Sequence, residues 1–221
     1  MVKQILHFVA LEWKLECRKI AGFYGIILFL LSIVMLIYLT IPIMTPLIWN
    51  IIFWVLQTFL CVLLVTKNSS PQLIAQINYF HSIIGPIPYI ISKIIVQSAF
   101  MLLIAIISWL VFRFFMPVSI YNELKFLLAL CLGSFSLAVF FTFVNVLALK
   151  ISYHPSVVII LGFPLLIPLF IVLTNLLNAT IIIEKALQYN YFLSIVGLYD
   201  VLIIILALVL TPFLWSEHQN L

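Results

Sequence analysis

The chain has 221 residues, of which 67% are hydrophobic and only 7% charged, a composition that a water-soluble globular domain cannot bury. Its polar intervals are too short for a nucleotidase, kinase or redox domain, which needs on the order of 100 residues, and no Gly-x-x-x-x-Gly-Lys phosphate loop occurs among the six glycines. The net charge of +4 is read as a membrane-orientation bias, not as a nucleic-acid footprint. The expected class is therefore an all-α integral membrane protein, without catalytic residues, whose energy comes from a partner.

A bilayer core about 30 Å thick takes roughly 20 apolar residues per helix. Spans are predicted near 21–41, 47–66, 88–112, 124–147, 157–177 and 192–214. Lys3, Lys14, Arg18, Lys19, Lys67, Lys93 and Lys150 fall on one side of these six spans, and Arg113, Lys125 and Lys185 on the other, which predicts both termini in the cytoplasm. The mixed-charge residues before the first span do not resemble a signal peptide, so the N-terminus is expected to be retained.

Residues 2–19 place Ile5, Val9, Trp13 and Cys17 at four-residue intervals, with Lys3, His7, Lys14 and Arg18 on a different face. This predicts an amphipathic helix on the membrane surface, with Trp13 at headgroup level. After the second span, the segment 67–86 opens with Asn68, Ser69, Ser70 and Pro71, a helix-start signal. Leu73, Ile77 and Phe80 then recur at helical spacing, with Gln76 among the polar positions. Lys93, near the start of span three, is expected to snorkel out to the interface.

Span five carries LGFPLLIPLFIVLT, in which Pro164 and Pro168 stand one turn apart beside Gly162. Each proline removes a backbone donor and crowds the preceding turn, which predicts a kinked or broken helix. Gly162 would let a second helix approach closely, within the subunit or across a dimer contact. The following segment 178–190 is open between a short helix dipping into the leaflet and an ordinary loop.

Asp200 is the one acid inside a predicted span, and intramembrane acids are functional candidates by default. Measured back from Trp215 it lies roughly 22 Å along the helix, which predicts an interfacial, hydrated carboxylate. One such group does not suffice for ion-coupled transport. His7, His81, His154 and His218 all fall outside the spans, and Cys17, Cys61 and Cys131 are single, so no metal site or disulfide framework is expected.

Several stretches resemble the haem exporter protein B family, the membrane subunit of the cytochrome c maturation ABC system. They are LEWKLECRK, PLIWNIIFWVL, IPYIISKIIVQS, LLALCLGSFSLA, GFPLLIPLFIVL and GLYDVLIIILALVLTPFLW. The resemblance implies a single ABC-2 type transmembrane domain over 1–221, forming a homodimer on two copies of a separate ABC ATPase subunit in a bacterial inner membrane. It further implies a haem-handling membrane protein and a small single-span protein as partners, with ATP bound by the partner and haem possible as cargo, not as a resident cofactor. Pro71 to His81 is similar in position to the family's coupling helix, which makes Leu73, Gln76, Ile77, Tyr79, Phe80 and His81 ATPase-contact candidates. Asp200 matches an acidic or amide position of the last span, and Pro164 and Pro168 match the family's proline block. KNSSPQLIAQ lacks the acids and glycine that many members carry in the coupling segment. A permease for lipid, peptide or drug, and a scaffold that translocates nothing, are the other two readings the residues leave open.

Overall fold

The computed structural model describes residues 2–18, 20–41, 44–66, 86–151 and 155–216, and every regular element among them is a helix. In order these are α1 (Val2–Arg18), α2 (Ile20–Thr40), α3 (Pro46–Thr66), α4 (Pro86–Phe115), α5 (Glu123–Ile151), α6 (Pro155–Ile181), a 3-10 helix (Ile183–Gln188) and α7 (Tyr189–Ser216). Six of the helices are long and apolar enough to cross a membrane, as expected where hydrocarbon offers the backbone no partner but itself. The segment 67–85 lies outside the described residues, and with it Leu73, Gln76, Ile77, Tyr79, Phe80 and His81.

Local chemistry sets where the helices start. Three open on proline, at Pro46, Pro86 and Pro155, a position at which the missing N–H costs nothing. Thr45 caps α3 by accepting from the Ile48 amide at 3.4 Å, and Asn122 caps α5 by accepting from the Lys125 amide at 3.0 Å. Hydroxyls inside the spans, such as Thr58, Ser108 and Thr142, donate to the carbonyl four residues back, so they enter the apolar layer already satisfied.

The spans run up and down, with α2, α4 and α6 leaving the end of the bundle where α1 lies and α3, α5 and α7 returning to it. α5 occupies the middle and packs against α3, α4, α6 and α7. At the end remote from α1, Trp49 stacks on Phe53 at 5.3 Å and meets Phe112 and Phe126 edge-on or tilted at 5.5 and 6.1 Å. Its indole donates to the Met116 carbonyl at 3.1 Å, so the α4–α5 turn is anchored on the aromatic cluster. Thus Phe112 is core, whereas Phe114 two residues on is 81% exposed.

The segment 178–190 divides between the end of α6 and the 3-10 helix, on which Ile183 and Leu187 stand exposed. Tyr189 then starts α7, its hydroxyl donating to the Lys125 carbonyl at 3.1 Å while its ring lies 5.3 Å from the Lys125 ammonium.

Candidate functional sites beside and within the bundle

The first site joins α1 to α4. Lys93 Nζ lies 3.3 and 3.5 Å from the two Glu12 carboxylate oxygens, with side chains only 17% and 13% exposed. The Tyr89 ring sits 6.0 Å from the same ammonium, Phe8 meets Tyr89 at 6.5 Å, and Trp13 meets Phe100 at 4.9 Å. Phe100 also touches Phe23 of α2, which ties three helices at one ring.

Lys93 finds its charge partner in an acid on α1, the helix expected at the membrane surface. The packed face of α1 contains Phe8, Glu12 and Glu16, of which Phe8 and Glu16 are buried, and Val9 packs against the core beside them. Each four-residue step overshoots a full turn by about 40°, so the series that starts at Ile5 drifts along the helix until Trp13, 40% exposed, keeps its ring on Phe100 and Cys17 is exposed.

The second site is at mid-depth. Asp200 on α7 is 5% exposed, and Ser136 of α5 lies 2.9 Å from its Oδ2, while its Oδ1 has no hydrogen-bond partner among the described residues. Asp200 stands about 16 Å along the axis from Tyr189, and Ser136 about 20 Å from Glu123, which places both near the middle of their helices. The expectation of a hydrated, interfacial carboxylate is therefore corrected. α5 closes over the side chain, a tertiary contact that depth along one helix does not reveal.

Other polar groups share this level. On α3, Trp54 abuts Gly133 and Cys61 Sγ lies 3.5 Å from the Leu137 carbonyl, so Gln57 between them faces the same turns of α5. Gln57 is wholly buried, and neither end of its amide has a hydrogen-bond partner among the described residues. A polar amide inside an apolar span is itself a signal, so Gln57 was findable from sequence.

Around the proline pair, α6 is a continuous helix from Pro155 to Ile181, not a broken one. Pro164 and Pro168 face outward, whereas Gly162 faces α5, where an added Cβ would stand 3.1 Å from the Phe141 ring. The close approach predicted for Gly162 is thus made within the chain. Next to Asp200, Tyr199 reaches the Leu165 carbonyl with a long 3.4 Å hydrogen bond. That carbonyl adjoins the one on Pro164 which Pro168 deprives of its helical donor. Consecutive residues of α7 therefore bind it to α6 and to α5.

A third polar contact fastens α3 to α6 nearer the remote end. Asn50, wholly buried, donates to the Thr174 carbonyl at 2.7 Å and to the Asn178 side-chain oxygen at 2.8 Å. Beyond it, a groove of about 450 Å³ opens among Tyr38, Met44, Phe115 and Met116. Among the described residues no cluster of three His, Cys, Asp or Glu side chains could hold a metal ion. The four-histidine pattern is described only at His7, which is exposed. Neither a family model, nor a curated protein, nor a solved structure matches the chain.

Proposed function

We propose that this chain is the non-catalytic membrane subunit of an ABC-2 type exporter, acting in cytochrome c maturation beside a separate ATPase and haem-handling membrane proteins. The observation that carries the reading is the way the stretches resembling haem exporter protein B pair off in space. LEWKLECRK holds Glu12 and IPYIISKIIVQS holds its partner Lys93. LLALCLGSFSLA holds Ser136 and GLYDVLIII holds Asp200. GLYDVLIII also supplies Tyr199, which reaches GFPLLIPL at Leu165. Segments distant in the chain thus meet through their polar residues, so the stretches that carry the resemblance form one connected set of contacts in this chain.

In this reading both termini and the α1 end face the cytoplasm of a bacterial inner membrane. ATPase closure moves the segment 67–86 through Leu73, Gln76, Ile77, Tyr79, Phe80 and His81. That segment leads directly into α4, and the Glu12 to Lys93 pair passes its displacement to α1. The far half of the bundle follows through α7, which grips α5 and α6 at Asp200 and Tyr199, beside the prolines of α6.

The test is a detergent pull-down of the tagged chain from its native membrane, with mass spectrometry of partners and a haem absorbance spectrum of the eluate. Recovery of an ABC ATPase with a haem-handling membrane protein is the expected result. An ATPase with lipid- or drug-export partners would retain the exporter and remove the haem assignment, and no ATPase would overturn both.

A further inference from the structure

In sequence α1 carries charges of both signs, Lys3, Glu12, Lys14, Glu16 and Arg18. In the folded chain the signs separate. Glu12 and Glu16 lie on the face that packs toward α4, Glu12 on Lys93 and Glu16 buried, while His7 and Lys14 are exposed. At about 100° per residue, positions 3, 7, 14 and 18 share an arc of roughly 60°, nearly opposite Glu12. Leu6 and Trp13, 64% and 40% exposed, fall between the two faces.

We propose that this arc is a binding surface for anionic lipid headgroups, created by the withdrawal of both acids onto α4. Three features favour lipid over a protein partner. α1 is joined to the membrane-spanning α2 through Lys19 alone, so its C-terminal end is held at the bilayer surface. Leu6 and Trp13 present an apolar edge to the same layer, with tryptophan suited to headgroup depth. The arc of positions 3, 7, 14 and 18 carries no acid in the sequence, and each Lys or Arg near an anionic surface adds attraction that salt screens.

The test uses the full chain in nanodiscs of phosphatidylcholine alone and of phosphatidylcholine mixed with phosphatidylglycerol, reading amide hydrogen exchange across 2–18. Protection of α1 is expected to rise about tenfold with the anionic lipid, and to lose that rise at high salt. The combined variant Lys3→Gln, Lys14→Gln, Arg18→Gln is expected to show no rise while exchange in α4 to α7 stays unchanged. Glu12→Gln, which leaves the basic arc intact, is expected to keep the difference between the two mixtures. Equal protection in both mixtures, a rise that survives the triple substitution, or a difference lost in Glu12→Gln would overturn the proposal. So would a triple variant insensitive to lipid that instead loses capture of the ATPase, since the arc would then belong to a protein interface.

Discussion

The middle of the bundle and its rim obey different rules. In α3 and α5, 67% and 72% of the apolar window is buried inside the chain, against 17%, 28% and 22% in α2, α6 and α7. The glycines mark the same division. An added Cβ at Gly133 would collide with the Trp54 ring, whereas at Gly25 and Gly197 it would meet nothing within 4 Å. Hydropathy is nearly uniform across these helices, so it does not separate the two regions. What separates them is whether side chains meet other side chains or face outward. The outward prolines and the lightly packed α2 belong to the rim, and α3 with α5 forms a central post.

The most damaging way to break this division is to overfill the post. Gly133→Val drives a branched side chain into Trp54 and Leu173 and is expected to cost about 3 kcal/mol, read as a lower midpoint in thermal unfolding monitored by size-exclusion chromatography. Gly162→Ala, with Phe141 at 3.1 Å, is expected to cost less, because one ring can shift.

Next comes the junction between α1 and the bundle. Lys93→Met leaves Glu12 largely buried without its countercharge and is expected to cost about 2 kcal/mol. The loss should be local, seen as faster proteolysis and amide exchange in α1 with α3 and α5 protected as before. Adding Glu12→Gln to Lys93→Met should recover part of the loss, because Glu12 then no longer holds a largely buried charge without its partner.

At mid-depth, Ser136→Ala removes the hydroxyl that meets Asp200 and is expected to cost about 1 kcal/mol, in the range of polar contacts between membrane helices. Asp200→Asn keeps a side chain able to bond Ser136, so its thermal midpoint should stay closer to the parent. The proline pair tests mobility more than stability. Pro164→Ala with Pro168→Ala restores two backbone donors on an outward face and is expected to stabilise the chain by about 1 kcal/mol. In the proposed exporter the same double substitution lowers ATPase coupling, and unchanged coupling and cytochrome c maturation would sink the role of the prolines.

The smallest effects belong to the open glycines. Gly25→Ala and Gly197→Ala are expected to raise stability by about 0.5 kcal/mol through helix propensity. A loss at either position, measured in nanodiscs, would show that another helix covers that face in the assembled protein and would redraw the rim.

Much of this architecture was legible in the residues. Runs of apolar sequence near the length of a bilayer core dictated six helices, and Pro46 and Pro155 lie at or just ahead of the predicted starts of their spans. The amphipathic character of α1 was also legible, because charge repeats on a helical face. Its contact face was not, since Glu12 and Glu16 belong to the buried side only once Lys93 of α4 stands opposite. The same holds for Asp200, whose distance along α7 suggested water, and for Gly162, whose neighbour proved to be Phe141 of this chain.

Periodicity and transfer energy act along the chain, so sequence by itself determined that this protein is a set of apolar helices with a charged leading helix. Which polar groups pair, which glycines are filled and which helix stands in the middle depend on residues that are far apart in sequence. Only the tertiary structure decided those, because in a uniformly apolar chain the few polar contacts choose among packings that hydrophobicity leaves nearly equal.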